Sequence, residues 1–276
     1  MQTEALFQIH LDKILQKKAP QLAKKLPGFV VRWLAKIVHQ DDCNDVLRYV
    51  GDAKGVEAMN RMVEYFKLTL HLEGTENLPT EGSYIFVSNH PLGGLDGIAL
   101  SSVIGERYHH RIKYIVNDIL YFLKPLQPIF IPINKHGAQS KRAAMAINEA
   151  LESGDQLVTF PAGLCSRKTK GSIQDPEWKK MFVLKAVEYR RDVIPVFFEG
   201  RNSRFFYGLA RLRKMLGIKL NLEMFFLPSE VFKQRNATFA IRFGKRIPWQ
   251  TFGGEKTPQE WADYVKQAVY QLERFE

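Results

Sequence analysis

The residues best suited to chemistry lie in one short turn, residues 88–97, which holds His90, Asp96 and three glycines. A histidine beside a carboxylate is the usual pairing of a general base with the group that orients it. Glycines allow positive φ and let a ligand approach the backbone closely. The alternative is structural: Asp96 could cap a helix that starts near Gly97, and His90 could bond to nearby backbone. These ten residues alone leave both interpretations open.

Two apolar runs flank this turn and would position it. Residues 84–87 predict a buried strand, and residues 98–104 predict a short helix. The histidine and the aspartate would then lie where a strand ends in an α/β sheet, which is where such folds bind their ligands.

The rest of the chain alternates between strand and helix patterns. Further strands are predicted at residues 68–72, 112–116, 128–133, 156–160, 193–198, 220–227 and 238–243. Further helices are predicted at residues 140–152, at 175–191 with Asp175 as the cap, and after a capping box that begins at Thr257. Polar or basic loops follow four strands, beginning at Asn89, Asn134, Pro161 and Glu199. The alternation predicts an α/β fold, a mostly parallel mixed sheet flanked by helices.

Residues 1–66 predict an N-terminal helical region ahead of an α/β domain at residues 67–276. Helical spacing over residues 4–18, and again after Pro27, places apolar residues such as Trp33 on one side. Residues 1–40 contain seven lysines and arginines but two acidic residues. Basic amphipathic helices of this kind suit an anionic membrane surface. The alternative is that the apolar side packs on the main domain.

Bulk composition narrows the possible partners. The chain of 276 residues carries a formal net charge of +11, which favours an anionic partner such as a membrane surface, a nucleic acid or an acidic ligand. No nucleic-acid-binding motif is present, so we expect no nucleic-acid partner. Two cysteines without a Cys/His cluster predict reduced thiols and no metal site.

The apolar runs also bear on location. Residues 1–18 lack the long apolar core of a secretory signal, and no apolar run reaches the length of a transmembrane helix. We therefore expect a cytoplasmic protein, peripheral on the inner face of the cell membrane.

Four blocks, in this order, resemble those of the glycerolipid (lysophosphatidic acid) acyltransferase family, and most of all its bacterial, hemolysin-like subgroup linked to lysophospholipid or aminolipid acylation. The blocks are Asn89-His90 through Asp96, the apolar strand 129–135 that ends in Lys135, Phe160-Pro161-Ala162-Gly163 with Ser166-Arg167, and the strand 193–196. The resemblance spans roughly residues 67–250 and implies the glycerolipid acyltransferase fold.

Three departures from the family pattern matter. Asp96 is six residues after His90, whereas the usual spacing is five. Ala162 stands where the third block usually has glutamate, which puts the usual glycerol-phosphate acceptor in doubt. Lys135 stands in place of arginine and offers a point charge without a bidentate fork.

The resemblance implies transfer of a fatty acyl group from a thioester to a lysolipid hydroxyl. His90 would take the proton of the attacking group, and Asp96 would hold the other ring nitrogen. Backbone N–H groups of Gly93, Gly94 or Gly163 are candidates for stabilising the oxyanion.

An acidic acceptor needs cations beside these groups. Lys135 and Arg167 carry over from the family as acceptor-binding residues. We add Arg201 with Asn202, because they follow a strand end on the same face. The donor would be acyl-CoA or acyl carrier protein, and no cofactor is expected. Cys165 is interpreted as structural, since a thioester already supplies an activated acyl group.

Three alternatives stay open at this point. The enzyme could instead N-acylate an amino acid head group, or the chain could be a catalytically silent, peripheral lipid-binding protein. The apolar and basic segment 205–216 could form a second membrane-docking surface or an ordinary packed helix.

Overall fold

The computed structural model describes residues 8–133, 138–169, 171–218 and 220–274. Its strands are β1 Thr69–Glu73, β2 Ile85–Ser88, β3 Ile112–Asn117, β4 Phe130–Ile133, β5 Gln156–Thr159, β6 Arg167–Thr169, β7 Ser172–Gln174, β8 Val193–Phe198 and β9 Thr238–Phe243. Its helices are α1 Leu11–Lys18, α2 Pro20–Lys25, α3 Gly28–Ile37, α4 Gln40–Val50, α5 Val56–Phe66, α6 Leu95–Arg107, α7 Ala138–Glu152, α8 Met181–Glu188, α9 Arg204–Met215, α10 Leu227–Lys233 and α11 Pro258–Gln271.

In the described chain, seven strands form one sheet in the order β1-β9-β8-β2-β5-β3-β4. The strands β8, β2, β5, β3 and β4 run parallel to one another, whereas β9 is antiparallel to β8 and pairs in parallel with β1. The predicted α/β class with a mostly parallel mixed sheet is therefore confirmed. The strand β4 lies at an edge, as its Pro132 requires, since proline cannot donate to a central ladder.

Side chains of each buried strand alternate between two cores. Phe86 belongs to a cluster with α4, α5 and α6, whereas its neighbours Ile85 and Val87 belong to a second cluster with α7, α8 and α11. This is the alternation expected of strands covered by helices on both faces.

The helices before β1 divide into two groups. The helices α1 and α3 bury no side chain completely, and Phe29 and Trp33 on α3 are 66% and 60% exposed. By contrast, α4 and α5 contribute Val50 and Met59 to the same core as the sheet. The predicted boundary near residue 67 thus does not coincide with a break in the core. The start of the predicted helix at residues 4–18 lies outside the described residues.

Two predicted elements were wrong. Residues 220–227 were expected to form a strand, but Leu222–Phe226 is a 3₁₀ turn that leads into α10. The helix expected to start after Asp175 begins only at Met181, and the buried Asp175 side chain accepts hydrogen bonds from Ser166 and Trp178 instead of capping it. Within the described residues, no helix is both long and apolar enough to cross a bilayer.

Candidate active site

Three of the polar loops predicted from the sequence meet at the carboxyl-terminal ends of the parallel strands, which we call the carboxyl edge of the sheet. The strands β2, β5 and β8 are neighbours and parallel, so their carboxyl ends point the same way. The loops that begin at Asn89, Pro161 and Glu199 therefore share this edge. Lys135, in the loop after β4, lies outside the described residues.

His90 and Asp96 form a pair at this edge. Nδ1 of His90 lies 3.0 Å from Oδ2 of Asp96, and the carboxylate is fully buried. The turn between them contains Gly93, whose φ of +76° lies in the left-handed region that favours glycine. The turn also wraps around the carboxylate: the N–H groups of Leu92 and Gly93 donate to Oδ2 at 2.9 and 3.2 Å, and Gly97 N–H donates to Oδ1 at 2.9 Å.

Asp96 makes the contacts that both interpretations of the sequence require. Asp96 lies in the first turn of α6 and accepts main-chain N–H groups there, as a capping residue does. It also contacts the imidazole. One side chain therefore fixes the fold of the turn and the orientation of the ring.

The electrostatics of the pair favour a basic imidazole. Burial is the largest single influence and lowers the pKa of His90, but the Asp96 carboxylate, helped by Asp175, raises this pKa above its ordinary value. Burial raises the pKa of Asp96, but His90 and the main-chain N–H groups bring it below its ordinary value. An ionised carboxylate can only accept, so Nδ1 carries the proton and Nε2 presents its lone pair.

Asp175 is a site residue that the sequence interpretation missed. It is buried, and its two carboxylate oxygens lie 3.1 and 3.2 Å from the main-chain nitrogen of His90, which donates to them. The Ser166 hydroxyl donates to it at 2.6 Å, and Trp178 Nε1 donates at 2.9 Å. Ser166 N–H in turn donates to the His90 carbonyl at 2.8 Å. Both main-chain polar groups of His90 are thus held by the segment after β5.

Phe160 supports the imidazole from the side. Its ring centroid lies 4.2 Å from that of His90, with the two planes tilted by 32°. Tyr114 packs edge-on against Phe160 at 5.5 Å. The ring of His90 is therefore confined by apolar packing as well as by hydrogen bonds.

Arg167, predicted to bind the acceptor, is committed to an internal ion pair. Its Nη2 lies 2.9 Å from Oε1 of the fully buried Glu223, and Arg213 Nε lies 2.9 Å from the other oxygen of that carboxylate. Its Nη1 also donates to the Cys165 carbonyl at 2.7 Å. This geometry ties the segment after β5 to the α9 region.

Asn202 and Arg201 follow β8 but differ in setting. Asn202 is buried, and its Nδ2 donates to the Pro91 carbonyl at 3.1 Å, so it braces the His90 turn from the side of β8. Arg201 is exposed in the same loop.

The three glycines proposed as oxyanion donors also differ. Gly93 N–H donates to Asp96, and Gly163 N–H donates to the Phe160 carbonyl at 2.9 Å, so both donors are already used. In the described part of the chain, the N–H of Gly94 is not seen to donate to another group, and Gly94 is the N-cap residue of α6. Of the three, Gly94 is the one whose N–H has no acceptor among the described residues.

Two neighbours of the site bear on its chemistry. Cys165 is fully buried, and burial raises the pKa of its thiol to about 11, which makes it a poor nucleophile. Ala162 is buried in the core that contains α8 and α11. Among the described residues, no group of three or more His, Cys, Asp or Glu side chains could hold a metal ion.

The chain is similar to known acyltransferases. The chain is 51% identical over 272 residues to a lyso-glycine lipid O-acyltransferase of Bacteroides thetaiotaomicron, covering 99% of this chain and 100% of the relative. It is 47% identical over 272 residues to a lyso-glycine lipid O-acyltransferase of Phocaeicola vulgatus, covering 99% and 98%. The crystal structure of the 1-acyl-sn-glycerophosphate (LPA) acyltransferase PlsC from Thermotoga maritima aligns with 94% of this chain and 85% of its own, at a TM-score of 0.49 and 17% identity.

A family match agrees with these relatives. The sequence model described as acyltransferase matches residues 13–275, which includes the His90 turn, the segment after β5 and nearly all of the helices. With this match and two relatives near half identity over their full length, the chain belongs to the acyltransferase family and is an acyltransferase enzyme.

Proposed function

We propose that this enzyme transfers a fatty acyl group from an acyl thioester to the hydroxyl of a lyso-glycine lipid. The observation that carries the proposal is the His90–Asp96 pair, with Nδ1 held at 3.0 Å by a buried carboxylate and Nε2 left to act as a base. The two relatives named for this acceptor, at 51% and 47% identity, support the choice of acceptor and of O-acylation rather than N-acylation.

The reaction balances because one proton is transferred twice, first to His90 and then from it. The acceptor hydroxyl attacks the thioester carbonyl while His90 Nε2 removes its proton, and Asp96 stabilises the imidazolium that forms. The C–S bond then breaks, and the imidazolium returns the proton to the departing thiolate. The N–H of Gly94, at the N-terminus of α6, has no acceptor in the described part of the chain and is the donor that we assign to the oxyanion.

The acceptor would carry a carboxylate, which needs a cation near the sheet edge. Arg201 is exposed in the loop after β8 and is the cation that we assign to this role, together with Lys135. Arg167 and Asn202 act indirectly in this proposal, since both are engaged with neighbouring loops. Acyl-CoA or acyl carrier protein would donate the acyl group, and no cofactor is required.

The proposed location is the cytoplasmic surface of an anionic membrane, where a lysolipid acceptor would reside. The exposed Phe29 and Trp33 on α3, with Arg32 and Lys36 beside them, support binding to an anionic interface.

The test measures thiol release from acyl-CoA and from acyl carrier protein on vesicles that carry lyso-glycine lipid, lysophosphatidic acid or no acceptor. We expect release that depends on lyso-glycine lipid and falls about 10²- to 10⁴-fold in His90→Ala. Mass analysis of the product would show an ester and not an amide.

The matched control is His71→Ala. His71 is an exposed histidine on β1, an outer strand of the sheet that β9 and β8 separate from β2. It should release thiol at the wild-type rate. Release that persists in His90→Ala would show that the chemistry belongs to another residue. Amide product would favour N-acylation of an amino acid head group.

A further inference from the structure

Helix α9 turns an apolar stripe toward solvent. Four side chains form this α9 stripe, and their exposed fractions are 54% for Phe205, 52% for Leu212, 73% for Met215 and 64% for Leu216. Spacings of three, four and seven residues place them along one side of the helix. A surface helix normally shows polar residues to solvent, so this side is the reverse of the usual pattern.

The opposite side of α9 already holds the helix in the fold. Phe206, Tyr207 and Ala210 are buried, and Phe206 packs with Cys165 in a small core. The α9 stripe is therefore not needed to attach the helix to the domain. After Leu216 the chain continues with exposed Ile218 and Leu220, which adds to the apolar surface.

The exposed charges of α9 itself have one sign. Arg204 and Arg211 are exposed next to the stripe in the helical pattern, and Lys214 is exposed in the last turn of the helix. Glu223 is the one acidic residue in the sequence between Gly200 and Ser229, and it is fully buried between Arg167 and Arg213. The exposed face thus combines apolar side chains with cations that form no ion pair with the described residues.

The combination of apolar and cationic side chains favours an anionic bilayer over a second copy of the chain as the partner of this surface. A second copy of the chain would bring the same cations against each other across a twofold interface, without acids to pair them. An anionic bilayer offers hydrocarbon for the α9 stripe and negative head groups for the cations at the same time.

Helix α9 and the residues just before it contact the segments that position His90. Asn202, just before α9, donates to the Pro91 carbonyl in the His90 turn. The Arg167 guanidinium lies 5.3 Å from the ring centroid of Phe206 on α9. The helix therefore packs on both segments that hold His90.

We infer that the α9 stripe and its flanking bases form a second membrane-docking surface, separate from α3, which binds anionic lipid and sets the His90 edge of the sheet against the bilayer. Binding of this surface to lipid would not depend on the acyl donor or on the acceptor head group, since the surface lies outside the His90 turn.

The experiment measures sedimentation of the full chain with vesicles of phosphatidylcholine, with and without phosphatidylglycerol, in the absence of donor and acceptor. In Met215→Ser/Leu216→Ser we expect the partition coefficient on anionic vesicles to fall about tenfold or more. In Arg211→Gln/Lys214→Gln we expect about a fivefold loss per base at low salt, and little loss at high salt.

The matched control is Met145→Ser/Leu184→Ser, which removes two exposed apolar side chains from α7 and α8 on the other core. It should bind vesicles as the wild type does. Equal loss in this control, or wild-type binding by Met215→Ser/Leu216→Ser, would overturn the inference. A change from dimer to monomer in sedimentation equilibrium, with vesicle binding unchanged, would instead identify an interface between copies. Since no substrate is present, the result is independent of whether lyso-glycine lipid is the acceptor.

Discussion

Two carboxylates hold His90, and they come from different regions of the chain. Asp96 lies in the same turn and contacts the ring, whereas Asp175 follows 85 residues later and accepts the main-chain N–H. Burial raises the pKa of both, yet the pKa of Asp96 ends below its ordinary value and that of Asp175 ends above it. The difference is the imidazole opposite Asp96, which needs an ionised partner. One region sets the charge of the base, and the other sets its position.

The largest effect within this comparison is expected from Asp96→Asn. We predict about a 10³-fold loss of kcat/KM, because the ring loses both its orientation and the stabilisation of the imidazolium. His90 must be neutral to accept a proton, so activity falls as pH drops through its pKa. Since Asp96 raises that pKa, the acid limb of the pH profile should move to lower pH in the variant.

The measurement is kcat/KM against pH, with thermal unfolding alongside. If Asp96→Asn lowers the unfolding temperature, and the fraction of the enzyme that stays folded keeps nearly full activity, the role of Asp96 is confined to capping α6.

Asp175→Asn should have the next largest effect. We predict about a 10²-fold loss of kcat with KM nearly unchanged, because a small displacement of the His90 main chain moves Nε2 away from the acceptor hydroxyl. The acid limb should shift in the same direction as in Asp96→Asn but less, since Asp175 raises the pKa of His90 more weakly than Asp96 does.

Asp192→Asn provides the control for this variant. Asp192 is partly buried. Like Asp175 it accepts a main-chain N–H, that of Trp249 at 2.9 Å, but it precedes β8 and so lies at the amino-terminal end of that strand. Its kcat should equal that of the wild type. Equal kcat losses in the two variants would remove the distinction between Asp175 and any other buried carboxylate.

Ser166→Ala should have the smallest effect. The variant loses the 2.6 Å hydrogen bond to Asp175 but keeps the main-chain bond from residue 166 to His90. We predict a loss of about 1.5–3 kcal/mol in the free energy of unfolding, as for a hydrogen bond to a charged group, and less than about a tenfold loss of kcat. Urea unfolding and steady-state kinetics measure the two effects. A larger kinetic loss than in Asp175→Asn would make Ser166 the dominant support of His90.

The sequence predicted the parts of the site that depend on local pattern. Apolar runs ending in polar loops at Asn89, Pro161 and Glu199 located the carboxyl edge, because parallel strands bring their ends together. The His90–Asp96 pair could be predicted because both residues lie in one turn. The glycine at residue 93 was a local sign that this turn could adopt the positive φ that brings them within 3.0 Å.

The parts that were missed depend on contacts between distant segments. Asp175 looks like a helix cap before Pro176, and only the folded chain brings it against the His90 main chain. Arg167 looks like a free cation, because its partner Glu223 lies 56 residues further on. The strand predicted at residues 220–227 is wrong because a short apolar run does not distinguish a strand from a helical turn.

The burial of Ala162 limits which side chains this position accepts. An Ala162→Glu substitution would push a carboxylate into the core that contains Ile85 and Trp178. Burying an unpaired charge there is costly, so that single change would give an unstable protein. A carboxylate at this position would require compensating changes in the same core first.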